Sequence, residues 1–155
     1  MTLLLDELSL GVTDAAGALR IVLRLTVAVL LGALLGYERE QTGKAAGLRT
    51  HMLVALGSAL FVIAPLDPGM AAADVSRVLQ GVAAGIGFIG AGAILKLTDA
   101  HQIKGLTTAA SIWTTAAVGA SAGLGRFGLA VVAAILAWIT LSLLNRFESA
   151  GHPDR

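Results

Sequence analysis

Polar positions are sparse along this chain, and they divide it into five apolar stretches, approximately Ala18–Tyr37, Thr50–Leu66, Val78–Leu95, Gly105–Gly123 and Phe127–Leu144. Each approaches the roughly 20 residues that a helix needs to cross about 30 Å of hydrocarbon. The runs 50–66 and 78–95 hold no Lys, Arg, Asp or Glu. Both are short for a span and leave little room for tilt. The pattern predicts an all-α integral membrane protein, a bundle of about five transmembrane helices. It puts the transmembrane domain at residues 17–146, with a leader at 1–16, interfacial or unstructured, and a short tail at 147–155.

The third stretch carries Gly81, Gly85, Gly87, Gly90 and Gly92, a composition that makes a poor helix in water. At about 100° per residue, Gly81, Gly85 and Gly92 fall within about 40° of one another, with Gly87 and Gly90 on the opposite side. Lipid supplies no hydrophobic force between helices, so close packing of small residues must hold them together. This helix is therefore expected at the centre of the bundle. Gly32-Ala-Leu-Leu-Gly36 and Gly119-Ala-Ser-Ala-Gly123 offer the same packing device elsewhere. Gly85-x-Gly87-x-x-Gly90 also matches the dinucleotide-binding fingerprint. That motif needs a strand before it and a helix opening at it, whereas here it sits inside an uncharged apolar run.

The fourth stretch is rich in hydroxyls: Thr107, Ser111, Thr114 and Ser121 lie within about 80° of one another on a helix, with Thr108 and Thr115 at the edge. Such a face turns toward protein or water rather than lipid. Hydroxyls bonding neighbouring helices is one reading, and a polar lane for an ion or small solute is the other. The last stretch is bulkier and suits a lipid-facing or dimer-forming surface.

Composition agrees with the pattern. The chain has 155 residues, 56% of them hydrophobic and 14% charged, against about 25% charged in soluble domains, and its mean hydropathy is +0.82. Cysteine is absent, which excludes disulfides and thiolate chemistry. No nucleophile–base pair, metal signature or phosphate loop in proper context is present, so neither an enzyme nor a cofactor is expected. A net charge of +1 gives no reason to expect nucleic acid. The residues preceding the first apolar stretch carry Asp6, Glu7 and Asp14 and no Lys or Arg before Arg20, unlike a cleavable signal, so the first helix is expected to stay as an anchor.

Lys and Arg set the expected orientation. With the N-terminus outside and the C-terminus cytoplasmic, Arg39, Lys44, Arg49, Lys96, Lys104, Arg146 and Arg155 lie inside, against Arg20, Arg24, Arg77 and Arg126. Arg20 and Arg24 share one helix face. Snorkelling to the headgroups is the plainer reading of them, and pore lining the sharper one. The most polar segment, Glu38 to His51, supplies a candidate cytoplasmic cluster of Glu38, Arg39, Arg49 and His51. Glu38 and Arg49, each at a helix end, are expected to pair and fix the turn between the first two helices. Glu38, Glu40, His51 and His101 have ligand chemistry for a divalent ion, but no tight spacing.

Gly36-Tyr-Glu-Arg-Glu40, Gly43-Lys-Ala-Ala-Gly-Leu-Arg-Thr-His51, Gly85-Ile-Gly-Phe-Ile-Gly-Ala-Gly-Ala-Ile94 and Gly105-Leu-Thr-Thr-Ala-Ala-Ser-Ile-Trp113 together resemble the MgtC/SapB family of bacterial inner-membrane proteins. The resemblance runs over about residues 20–145. It implies a plasma-membrane protein linked to magnesium homeostasis, virulence and stress adaptation. The resemblance further implies action on other membrane machines, including the ATP synthase, rather than carriage of Mg²⁺. Longer members add a soluble cytoplasmic domain, so this chain looks like a short form. The expected function is regulatory, with membrane lipid, other membrane proteins and a homodimer as partners. A transporter or channel for Mg²⁺ or another small solute is the alternative.

Overall fold

In the computed structural model the described residues are 15–64, 72–97 and 102–151, and they form five helices and one small hairpin. Helix α1 spans Ala15–Gln41, α2 Leu48–Ile63, α3 Ala72–Gly92, α4 Leu106–Gly123 and α5 Phe127–Gly151. Strands β1 (Leu95–Leu97) and β2 (Gln102–Lys104) pair antiparallel between α3 and α4, with Lys96 opposite Ile103. The leader through Asp14, the Asp67–Met70 turn, His101 and the residues after Gly151 lie outside the described residues.

Small residues decide how the first, second and fourth helices meet. On α1, Ala28, Gly32, Leu35, Gly36 and Arg39 are buried at helical spacing; on α2 the buried positions are His51, Ala55, Ser58, Ala59 and Val62. A Cβ on Gly32 would stand 2.9 Å from Ala55 Cβ, and one on Gly36 would stand 2.7 Å from Leu48 Cα. The other flank of α2 meets α4 in the same way: a Cβ on Gly119 would lie 2.6 Å from Ala55 Cα, and one on Gly123 would lie 2.7 Å from the Ala59 carbonyl oxygen. Helix α2 is therefore held between two Gly-x-x-x-Gly strips, and Ala55, fully buried, touches both. The pairing order makes α1 antiparallel to α2 and α2 parallel to α4, so α2 and α4 begin at the same end of the bundle.

Helix α4 is the centre. It contacts each of the other four helices, and its buried residues run from Thr108 through Ser111, Ile112 and Thr115 to Gly119 and Gly123. This corrects the expectation that the third helix is central. Around Gly81, Gly85, Gly87 and Gly92 no atom of another described element lies within 4 Å of an added Cβ, and Gly90 makes only an ordinary 3.6 Å contact with Ala109. The glycine count of α3 is a weaker guide than partner identity: among the described helices only α4 packs closely on it, and α2 stands off. All three glycines of the fingerprint lie inside α3, away from any strand-to-helix turn. Between α2 and α3 a groove of about 640 Å³ opens, lined by Leu53, Val54, Gly57, Phe61, Val82 and Gly85 among others.

Two ends of α4 are fixed by special geometry. Gly105 precedes it at φ 96°, against the Ala93 carbonyl; a side chain would meet both a disfavoured backbone conformation and an occupied space. At the far end Arg24 of α1 donates from Nη1 to the Gly123 carbonyl at 3.1 Å. That bond places a cation at the negative end of the helix dipole. Arg24 is thereby a helix-end tie, neither a pure snorkeller nor a pore-lining group.

The outside of the bundle is apolar. Leu19, Leu30, Leu53, Phe61, Phe88, Trp113, Leu129 and Leu136 are all exposed, spread over the five helices, which is far more than a solitary surface hydrophobe. Among the described residues two helices, Ala15–Gln41 and Ala73–Gly92, are long and apolar enough to cross a membrane, and Leu48–Ile63 and Phe127–Leu143 are apolar but shorter.

Candidate functional site

A polar knot is buried at the end of the bundle where α1 finishes and α2 and α4 begin. Glu38 and Arg39 close α1 with exposures of 7% and 1%, and His51, at the end of the first turn of α2, is wholly buried. Gly36 lets this happen, because its lack of a side chain brings α1 against Leu48 and His51. From α4 come Thr108, Ser111 and Thr115, also buried.

The hydrogen bonds tie three helices together. His51 Nδ1–H donates to the Gly47 carbonyl at 2.9 Å, and Nε2 lies 3.1 Å from Ser111 Oγ. The Ser111 hydroxyl also lies 2.8 Å from the Thr108 carbonyl. It has one proton to share between that carbonyl and the imidazole. Arg39 Nη1 approaches Glu38 Oε2 at 3.4 Å. Its Nε and Nη2 are buried and have no hydrogen-bond partner among the described residues. Thr42 Oγ1 donates to the Glu38 and Arg39 carbonyls, which ends α1, and Glu40 accepts the Leu48 N–H at 2.8 Å, which starts α2.

Three expected roles change. Arg49 is exposed, so the charge buried beside Glu38 is the neighbouring Arg39; residue 49 sits on the opposite side of the first turn of α2 from the knot. Of the expected hydroxyl face only Ser111 is buried. Thr107 is exposed and Thr114 and Ser121 are half-buried, and the latter two bond the carbonyls of Ala110 and Ala117 on their own helix. The buried hydroxyls beside Ser111 are Thr108 and Thr115, because the packed face is rotated toward α2 from the stripe that spacing alone defines. For the divalent-ion reading, Glu40 caps α2 and His51 has both ring nitrogens engaged. Among the described residues no group of three His, Asp or Glu gathers.

Sequence reasoning missed Ala55, Ala59 and the buried hydroxyls of Thr108 and Thr115 as site-forming residues. The Ala-x-x-x-Ala spacing of Ala55 and Ala59 was the available signal.

The knot is built from the Gly36–Thr42, Gly47–His51 and Thr108–Thr115 segments. The sequence profile of the MgtC family matches residues 25–150, which includes every residue of the knot. The chain belongs to the MgtC family. It is 46% identical over 136 residues to Protein SrpB of Synechococcus elongatus, covering 81% of this chain and 75% of that protein. It is 39% identical over 132 residues to the Putative magnesium transporter YhiD of Escherichia coli, covering 60% of that protein. Against Protein MgtC of Salmonella typhimurium it is 42% identical over 120 residues, covering 74% of this chain and 48% of the relative. The MgtC family chain described here thus spans 60% of YhiD and about half of MgtC. No solved structure matches it.

Proposed function

We propose that this MgtC family chain is a multi-span protein of the bacterial plasma membrane, N-terminus outside and C-terminus cytoplasmic, that regulates other membrane proteins in magnesium homeostasis and stress or virulence adaptation. The observation that carries this reading is the state of α3. One helix packs closely on it, its glycines Gly81, Gly85, Gly87 and Gly92 have open space beside them, and Phe88 is 84% exposed. An apolar helix with small residues on its free faces is shaped to receive another helix in lipid. The knot supports the same reading. A buried guanidinium sits where α1, α2 and α4 meet, which repels a divalent cation, and Thr114, Thr115 and Ser121 spend their hydroxyl protons on their own helix.

Transport of Mg²⁺ or another small solute is the second reading, favoured by the name of the YhiD relative. Flux separates the two. Purified protein in liposomes is expected to give no Mg²⁺ uptake above empty vesicles, and proteins crosslinked to it in native membranes are expected to be lost on Gly85→Leu. Saturable uptake abolished by Thr114→Leu overturns the regulatory reading.

A further inference from the structure

At the end of the bundle opposite the polar knot, positive charge collects, and among the described residues only Asp74 supplies an acid there. Arg24 lies over Gly125, whose added Cβ would be 3.0 Å from Arg24 Nη2, and Arg126 is the next residue in the chain. Arg20 stands one turn along α1 from Arg24, on the same face, and both Arg20 and Arg126 are exposed. Arg77, at the start of α3, is answered by Asp74 at 3.0 Å. The other described carboxylates with placed side chains, Glu38 and Glu40, are at the far end. Helix α5 begins at this corner, beside the C-terminal end of α4 that Arg24 caps. Directly along α1 and α5 the surface turns apolar: Leu19, Val22 and Leu23 on α1, and Leu129 and Val132 on α5, are exposed.

We propose that Arg20, Arg24 and Arg126 form a binding site for the phosphodiester headgroup of an anionic phospholipid, with its acyl chains lying on the exposed apolar residues of α1 and α5. The guanidinium fork matches phosphate oxygens two at a time, which an ammonium does not. Arg24 is the fixed member, held by its bond to the Gly123 carbonyl. Arg20 and Arg126, both exposed, supply the other two guanidiniums. A headgroup bearing two phosphodiesters engages all three guanidiniums more fully than one bearing a single phosphodiester. The proposal rests on the membrane reading above.

The test uses the full chain in neutral detergent, titrated with phosphatidylcholine, phosphatidylglycerol, cardiolipin or inorganic phosphate, with lipid retention read by native mass spectrometry and unfolding temperature read in parallel. Cardiolipin and phosphatidylglycerol are expected to bind more tightly than phosphatidylcholine. Arg20→Gln with Arg126→Gln is expected to weaken that preference about thirtyfold, the effect of two cationic contacts with anionic lipid. Lys44→Gln with Arg49→Gln, at the other end, is expected to leave it within about twofold. Equal losses from the two double variants mean diffuse charge attraction and overturn the site. Equal binding of all lipids overturns it too, as does inorganic phosphate that binds as tightly as the lipid. A chain that is monodisperse in buffer without detergent overturns the membrane reading itself; detergent dependence without anionic preference overturns only this site.

Discussion

Alanine at Gly119 and at Gly85 is expected to have opposite effects, although both residues are helical glycines in apolar surroundings. At Gly119 the new methyl would stand 2.6 Å from Ala55 Cα and 2.8 Å from its carbonyl carbon, where 3.4–4 Å is ordinary contact. Those neighbours are backbone atoms and cannot rotate aside, so α2 and α4 must separate. Overpacking of this kind costs about 1–3 kcal/mol, against up to ~1 kcal/mol regained because alanine is the better helix former. The net is a loss of about 1–2 kcal/mol, near a tenfold drop in the folded-to-unfolded ratio. At Gly85 an added methyl meets nothing within 4 Å, so only the gain remains, from zero to ~1 kcal/mol of added stability. Equilibrium unfolding in mixed micelles, followed by helix content, measures both. Gly85→Ala proving as damaging as Gly119→Ala refutes the assignment of α4 as the packing centre.

Two further outcomes probe the polar knot. Glu38→Gln leaves the guanidinium of Arg39, 1% exposed, without its carboxylate. It is expected to destabilise by roughly 3–5 kcal/mol, whereas Arg49→Ala, at an exposed position, stays within about 0.5 kcal/mol; the same unfolding assay ranks them, and equal effects would return Arg49 to the buried cluster. A double-mutant cycle of His51→Ala and Ser111→Ala isolates the bond between α2 and α4. A coupling of about 0.6 kcal/mol, and no more than ~1.7, is expected from interhelical hydrogen bonds in membranes, and zero coupling would contradict the contact.

The positions of the helices were legible because charges are scarce and fall at the breaks, and the Gly32/Gly36 and Gly119/Gly123 strips were legible because their spacing is the local rule for close helix approach. What those strips face was not legible. Periodicity names a helix face but not its partner, so the five glycines of α3 looked more central than the two on α4, although Ala55 and Ala59 are what make an inward face. The helix ends shifted for a related reason. Asp74 and Arg77 pair one turn apart on α3, which lets that helix begin among charged residues that hydropathy assigns to a loop. At the knot, Glu38, Arg39 and His51 of the expected cluster are buried together while Arg49 is exposed, and pairing Glu38 with Arg39 rather than Arg49 required knowing which side of the first turn of α2 faces α1.

The architecture turns on α4 lying inside the bundle with α3 on its outside. Because the chain has no cysteine, single cysteines at Val118 and Ala122 on α4 and at Ala84 and Phe88 on α3 can each be challenged with a membrane-soluble thiol reagent in lipid vesicles. Rapid labelling at Ala84 and Phe88 with protection at Val118 and Ala122 is the predicted result, and the reverse pattern would contradict it.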